Sequence, residues 1–315
     1  MSTQDSATRI RAGASSVWGS VRAFLRERPH WFFLLPALLI YVPFLVVPAL
    51  GIFGLSGFRW SGLGDMTFSG AANFARALSD DIVYTSLWHN VEIAFWSLVL
   101  QAGIGLALAL AIHRYSGRLR QFFQTIYLLP MTLMAVAVAM VWGYIYNSSY
   151  GVLNTLLFEL GLDWNPLWLG SKSIVLYAII IVATWQWTGF RVILWLAGLD
   201  SIDESLLEAA KMDGAGPWQQ FRYIILPLLK PVAIFISIYT IIGSFNSFAY
   251  VWVMTRGGPG HASEVMVTWI YKNAFLQSNF GRAAAISVIL FVIVLVLSLV
   301  NLRLGDREAG GGANP

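Results

Sequence analysis

Long apolar stretches alternate with short polar segments along most of the chain. A helix needs about 20 mostly apolar residues to cross the hydrocarbon core of a membrane. Six stretches come close to or exceed that length with almost no charge, and the fourth continues past one arginine to Leu199. They are Trp31–Phe58, Ile93–Ile112, Gln121–Phe158, Ser173–Phe190, Pro231–Thr255 and Ala283–Leu302. The pattern therefore predicts six transmembrane helices.

The third stretch, Gln121–Phe158, is too long for one span. It is interrupted by a turn-forming cluster, Asn147-Ser148-Ser149-Tyr150-Gly151. We expect one transmembrane helix before this cluster and a segment with a polar face after it.

Composition supports a membrane protein. Of the 315 residues, 57% are hydrophobic and 11% are charged, whereas soluble domains carry about 25% charged residues. There is no cysteine, so disulfides and thiol chemistry are excluded.

The net charge of +4 is spread over many short loops and indicates no nucleic-acid partner. The first stretch follows 30 residues without a small-residue cleavage site, which predicts a retained span. We therefore expect an all-α integral membrane protein.

The basic residues are distributed unequally between the predicted loops. Of the 20 Lys and Arg residues, thirteen fall in the two terminal segments and the second and fourth loops, six fall in the other loops, and Arg191 lies in a span. The positive-inside rule places the thirteen, and both termini, in the cytoplasm. The loops 59–90, 147–172 and 256–281 are then outside. We expect residues 1–30 to form a cytoplasmic segment, 31–303 one multi-pass domain in the cell (inner) membrane, and 304–315 a flexible cytoplasmic tail.

The fourth loop, residues 199–231, has the pattern of two short helices. Ser201 or Asp203 can cap the first helix, which is followed by acidic residues in its first turn. Gly214 suits its C-terminal cap, and Pro217 suits the first position of a second helix. Pro227 and Pro231 are expected to break that helix before the next span.

A fixed-spacing motif in this loop resembles a known family. Glu208-Ala209-Ala210 is followed after three residues by Gly214, after nine more by Ile224, and then by Leu226-Pro227. This pattern resembles the "EAA" loop of binding-protein-dependent ABC importer permeases. The alternative is an ordinary amphipathic connector. The resemblance implies that the loop docks onto an ATPase subunit. The residues that it assigns to coupling are Glu208, Ala209, Ala210, Asp213, Gly214, Ile224, Leu226 and Pro227.

Other segments resemble the maltose- and glycerol-3-phosphate-type branch of that family. They are Asn73-Phe74, Thr255-Arg256-Gly257-Gly258-Pro259 and Gly281-Arg282-Ala283-Ala284-Ala285-Ile286. The second segment is the GGP signature of one side of the permease heterodimer. The resemblance implies a type I ABC importer permease fold. The implied partners are a second homologous permease, two ATP-binding subunits and an extracytoplasmic solute-binding protein.

The chain lacks the motifs of an enzyme. A Walker A loop requires Gly-x-x-x-x-Gly-Lys-Ser/Thr, and Gly170-Ser171-Lys172-Ser173 lacks the upstream glycine. There is also no His/Cys metal cluster and no nucleophile constellation. We therefore expect a transport subunit that binds no cofactor, with ATP and Mg used by the partner ATPase.

Polar and aromatic residues within two spans form candidate faces for a solute path. Helical spacing groups Gln186, Trp187 and Phe190 in the fourth span, and Thr240, Ser244 and Ser247 in the fifth, with Asn246 beside them. Amide and hydroxyl groups with aromatic rings are suited to sugars. The alternative is that small residues only allow close helix packing and the aromatics fill the core.

Arg191 is the one basic residue inside a span. Three interpretations are open: its side chain reaches the cytoplasmic interface, pairs with Glu92, or meets an anionic solute. We favour the two structural interpretations.

The expected function is import of a sugar or sugar-like solute. One alternative is another importer branch, for glycerol-3-phosphate or a polyamine. A secondary transporter is a second alternative, although such proteins usually carry carboxylates inside the membrane. A membrane scaffold is a third, and it leaves the loop motif unexplained.

Overall fold

The computed structural model describes the backbone of residues 30–309 and the side chains of residues 33–303. The predicted N-terminal segment up to residue 29 and the last part of the predicted tail, 310–315, lie outside the described residues. The chain divides into two units, residues 1–55 and 56–315.

The described part of the first unit is helix α1, with the membrane-length segment Phe33–Leu55. A π-helical turn at Val42–Val46 interrupts its α-helical geometry. Pro43 lies in this turn and has no N–H to donate, which favours a local widening of the helix.

The second unit begins with a two-stranded antiparallel ladder and then becomes helical. Strands β1 (Phe58–Arg59) and β2 (Thr67–Phe68) pair with Phe58 opposite Phe68. The following helices are α2 (Ala72–Leu78), α3 (Asp81–His113), α4 (Gly117–Thr132), α5 (Ala135–Ile145) and α6 (Val152–Glu159). The chain continues with α7 (Val175–Asp200), α8 (Glu204–Met212) and α9, which comprises Pro217–Gln220, a π-helical turn Phe221–Ile225 and Leu226–Leu228. It ends with α10 (Lys230–Met254), α11 (Met266–Tyr271) and α12 (Phe280–Ala309).

The number of spans agrees with the sequence. Five described helices, α1, α3, α7, α10 and α12, are long and apolar enough to cross a membrane. Helices α4 and α5 together satisfy the same criterion but are bent by 93° at the break between them. Counting this bent pair as one span gives the predicted six.

One predicted boundary was wrong. Helix α3 begins at Asp81, twelve residues before Ile93, so part of the predicted 59–90 loop is helical. The polar residues that obscured this start have distant partners: the Asn90 amide donates to the Ser244 carbonyl at 3.1 Å, and its oxygen accepts from the Met266 N–H at 2.9 Å. Helix α12 extends to Ala309, into the segment predicted as the C-terminal tail.

Loops gather at two ends of the second unit. At the end that we call the hairpin end, the Asn73 amide donates to the carbonyls of Ser56 and Phe58 at 2.9 and 2.8 Å. There, Arg282 pairs with Asp80 at 2.5 Å. At the opposite end, which we call the loop end, Asp200 pairs with Arg120.

Helix α7 is the central element, with 61% of its most apolar segment buried. Its first half joins a cluster around Ile179, Val182 and Val251. Its second half joins a cluster around Val192, Leu196 and Leu229. Between the two clusters, α7 turns Ala183, Trp187 and Arg191 towards a cavity.

Candidate functional site

The cavity has a volume of about 360 Å³ and lies among α3, α5, α7 and α10. Its wall combines hydroxyl, amide and aromatic groups with one cation. These residues are Ser97, Gln101, Trp187, Arg191, Tyr239, Thr240, Ser244, Asn246, Ser247 and Tyr250. Apolar residues, among them Ile93, Ala135 and Ala183, complete the wall.

Helix α10 is interrupted beside the cavity. Its helical segments are Lys230–Phe245 and Phe248–Met254, so Asn246 and Ser247 lie between them. Irregular backbone at membrane depth is tolerated where it lines a cavity. Ser247 lies on the cavity wall, and its hydroxyl is buried without a hydrogen-bond partner within the described chain.

Helix α3 also departs from α-helical geometry where it lines the cavity. A π-helical turn spans Leu98–Ala102 and contains Gln101, which is 3% exposed. Its Oε1 is buried without a hydrogen-bond partner among the described residues. Such turns are frequent at functional sites because they re-aim one side chain.

Arg191 is buried, with 3% of its surface exposed. Its Nη2 donates to the Thr240 hydroxyl at 3.1 Å. The guanidinium carbon lies 5.0 Å from the ring centre of Tyr239, 5.6 Å from Phe190 and 5.9 Å from Trp187. The side chain therefore points across the bundle, and neither of the two structural interpretations, snorkelling or pairing with Glu92, describes its contacts.

Five of the seven residues predicted for the path lie on the cavity wall: Trp187, Thr240, Ser244, Asn246 and Ser247. Gln186 and Phe190 do not. The Gln186 amide donates to the Leu133 carbonyl at 2.8 Å and its oxygen accepts from the Tyr250 hydroxyl at 2.6 Å. Phe190 packs against Tyr239 with ring centres 5.2 Å apart. These two residues support the wall from behind.

Gln186 is part of a hydrogen-bonded chain that fixes the break between α4 and α5. The Trp187 indole donates to the Tyr250 hydroxyl at 2.9 Å, Tyr250 donates to Gln186, and Gln186 donates to the carbonyl of Leu133, which lies in the break. Buried polar networks of this kind specify one arrangement when every member is satisfied.

Four residues of the cavity wall were not predicted from the sequence: Ser97, Gln101, Tyr239 and Tyr250. Ser97 and Gln101 are four residues apart and therefore share one face of α3. That spacing is a detectable signal within an otherwise apolar stretch. The two tyrosines carried no such signal, because aromatic residues are common throughout the spans.

The 199–231 segment forms two short helices, as predicted, but the second continues past Pro227 to Leu228, and Pro231 lies in the first turn of α10. Asp203 caps α8 by accepting from the Ser205 N–H at 2.9 Å. This hydrogen bond lowers the pKa of the Asp203 carboxyl below its ordinary value, so a negative charge is held at the helix start. Gly214 ends the turn after α8 with φ +84°, a left-handed conformation in which an L side chain is strained.

The loop presents much of its motif to the surroundings. Glu208, Ala209, Asp213, Gly214 and Pro227 are exposed, and Ala210, Ile224 and Leu226 are half-buried. Met212 is 88% exposed and Trp218 is 71% exposed. Large apolar side chains with this much exposure are typical of a surface on which another protein can dock.

The Gly257-Gly258-Pro259 signature encloses a buried carboxylate at the hairpin end. Glu264 is 0% exposed and pairs with Lys272 at 2.5 Å, with the His261 ring nitrogen at 2.9 Å and with the Thr268 hydroxyl at 2.7 Å. Gly257 has φ +83°, and a Cβ there would lie 2.5 Å from Glu264 Oε2. The signature therefore has a structural role here. Within the described residues, no group of three or more His, Asp or Glu side chains is arranged to hold a metal ion.

Comparison with solved structures finds the same fold in a bacterial ABC transporter involved in the import of the acidic polysaccharide alginate. The TM-score is 0.78 at 24% identity, covering 93% of this chain and 99% of that one. This likeness shows the fold, which is the ABC importer permease fold that the sequence led us to expect.

Curated relatives extend over nearly the same length. The probable ABC transporter permease protein YurN of Bacillus subtilis is 36% identical over 276 residues, 87% of this chain and 94% of the relative. The trehalose/maltose transport system permease protein MalF of Thermococcus litoralis is 34% identical over 278 residues, with 87% and 92% covered. The sn-glycerol-3-phosphate transport system permease protein UgpA of Agrobacterium fabrum is 32% identical over 279 residues, with 88% and 94% covered.

The model of one protein family matches residues 102–308, about two thirds of the chain, including α7, the loop and α10. Its description is "Binding-protein-dependent transport system inner membrane component". The chain thus belongs to this family of ABC transporter permeases: it is a multi-pass membrane transport subunit and not an ATPase.

Proposed function

We propose that this permease imports a sugar or sugar-like solute that an extracytoplasmic binding protein delivers. The observation that carries the proposal is the cavity, in which aromatic rings stand beside unpaired polar groups. Trp187 and Tyr239 offer ring faces to the C–H surfaces of a sugar, while Ser247 and Gln101 offer free hydrogen-bonding atoms. Sugar-binding sites combine these two features because a sugar ring has apolar faces and a polar rim.

The relatives favour the same solute class. Among those detected are permeases named for trehalose/maltose, for arabinooligosaccharides and for starch degradation products. A permease named for sn-glycerol-3-phosphate is also among them, so a phosphorylated polyol is the second candidate solute.

The 199–231 loop is proposed as the docking element for the ATPase. Its exposed surface combines the charge of Glu208, the small residues Ala209 and Gly214, and the apolar side chain of Met212. Two ATP-binding subunits would use ATP and Mg, and a second homologous permease would complete the path. This chain is then the GGP-signature side of the pair, with both termini in the cytoplasm.

Uptake by the reconstituted transporter tests the proposal. The chain, its second permease, the ATP-binding subunits and the binding protein are placed in vesicles, and uptake of labelled maltose, arabinobiose and glycerol 3-phosphate is measured. We expect ATP-dependent uptake of at least one probe. Uptake of an amino acid or a metal ion in place of all three would overturn the proposed solute class.

A further inference from the structure

The guanidinium of Arg191 is a buried cation whose hydrogen-bonding capacity is largely unused. The Nη2 atom donates to Thr240, but Nε and Nη1 are buried without a hydrogen-bond partner in the described chain. Buried polar groups are nearly always hydrogen-bonded, so unpaired ones in a side chain that lines a cavity call for an explanation. A bound molecule that accepts hydrogen bonds would provide one.

The charge of Arg191 is also uncompensated. Among the ion pairs between side chains that the structure describes, Arg191 takes part in none. Three aromatic rings surround the guanidinium at 5.0–5.9 Å from their centres. Their faces attract a cation but leave its net charge in place. A charge at membrane depth without a counter-ion is costly and is typically functional.

We infer that the transported solute carries an oxyanion group, a carboxylate or a phosphate, that pairs with Arg191 in the cavity. A neutral hydroxyl would accept hydrogen bonds from the free N–H groups but would leave the positive charge unbalanced. An oxyanion would accept these hydrogen bonds and also balance the charge. The fork of the guanidinium matches the geometry of such anions, and charge-assisted hydrogen bonds are the stronger kind. This inference rests on the proposed function and specifies its solute as an acidic or phosphorylated sugar or polyol.

The surroundings of Arg191 suit this role. Thr240 holds one nitrogen of the guanidinium, so the side chain is oriented before a solute arrives. The buried hydroxyl of Ser247 lies on the same cavity wall and has no partner in the described chain. It can donate to an anion or to the rest of the solute.

The test compares matched neutral and anionic probes in the complete reconstituted transporter. The pairs are glucose and glucuronate, galactose and galacturonate, and glycerol and glycerol 3-phosphate. ATP-dependent uptake is measured for the unmodified chain, for Arg191→Gln, for Arg191→Lys and for the control Ser237→Ala. Ser237 lies on α10 outside the cavity wall, where its hydroxyl donates to the Ala233 carbonyl.

We expect the unmodified transporter to prefer the anionic member of at least one pair by about tenfold or more. Arg191→Gln abolishes this preference, Arg191→Lys keeps part of it because the charge remains, and Ser237→Ala leaves it unchanged. The uronates and glycerol 3-phosphate distinguish a carboxylate from a phosphate.

Two results would overturn the inference while leaving sugar import intact. One is preference of the unmodified transporter for the neutral member of every pair that it transports. The other is a charge preference that survives in Arg191→Gln. If Arg191→Gln instead loses the second permease on purification, and the unmodified transporter shows no charge preference, Arg191 pairs with that subunit and the inference fails. Uptake of maltose or arabinobiose with no uptake of any anionic probe would likewise overturn the inference and leave sugar import intact, whereas uptake of an amino acid or a metal ion in place of every sugar and polyol would overturn the proposed solute class.

Discussion

Individual side chains of the cavity wall have distinct tasks. Ser247 and Gln101 have polar atoms with no hydrogen-bond partner in the described chain. Behind the wall, the Gln186 amide hydrogen-bonds to the Leu133 carbonyl and to the Tyr250 hydroxyl. Polar residues that looked equivalent in the sequence thus separate into one group that faces the cavity and one that braces it.

Ser247→Leu tests whether the cavity is the solute path. The larger, apolar side chain would occupy cavity space and remove the free hydroxyl, so we expect uptake to fall by about tenfold or more, with assembly retained. Transport assays and co-purification of the subunits measure the two effects. Thr125→Leu, on an exposed face of α4, is the matched control. Equal uptake by both variants would return Ser247 to a packing role.

Gly257→Ala tests the role of the GGP signature. The substitution places a Cβ at φ +83° and 2.5 Å from the buried Glu264 carboxylate. Backbone strain and displacement of the carboxylate together cost about 1–3 kcal/mol or more, and the melting temperature in detergent should fall. Gly64→Ala is the control, because Gly64 has φ +75° but no atom within 4 Å of an added Cβ. A smaller loss for Gly257→Ala than for Gly64→Ala would contradict this account.

At the scale of elements, the apolar lengths in the sequence were sufficient to locate the spans. They did not locate the start of α3, because Asn90 and His89 are polar residues whose partners lie far along the chain. The His89 ring, for example, is 2.8 Å from the Glu264 carbonyl. Partners that only the tertiary structure brings together cannot be found from the spacing of residues in one helix.

The same reason explains why the environment of Arg191 was not predicted. Its contacts with Thr240 and Tyr239 come from α10, and the sequence alone does not say how α7 and α10 are rotated. The loop motif was easier, since Asp203, Gly214 and Pro217 determine local structure through capping and backbone conformation.

Reversal of one charge on α8 tests the loop. Glu208 is exposed, so Glu208→Lys should not affect insertion into the membrane. It should lower co-purification of the ATPase, or stimulation of its activity by the binding protein, by about fivefold or more. The reason is that repulsion between two like charges at the interface costs roughly 1 kcal/mol or more. Glu159→Lys, an exposed acidic residue on α6, provides the control. Normal coupling in Glu208→Lys would indicate that this carboxylate takes no part in docking.

At the scale of the whole molecule, we expect the two ends of the second unit to lie on opposite sides of the membrane. The chain contains no cysteine, so single cysteines can be labelled without background. Ser61→Cys, at the hairpin end, should react with an impermeant maleimide in intact cells. Ser116→Cys, at the loop end, should react only after permeabilisation. The reverse pattern would invert the topology derived from the positive-inside rule.

The central claim is that this chain belongs to an ATP-driven importer that depends on a binding protein. The most direct test is the initial rate of uptake of a sugar-like solute into vesicles that contain the complete transporter. The rate is measured without ATP, without the binding protein, and with an imposed proton gradient. We predict that uptake requires both ATP and the binding protein and is unaffected by the gradient. Uptake that persists without ATP and follows the proton gradient would contradict the account and identify a secondary transporter.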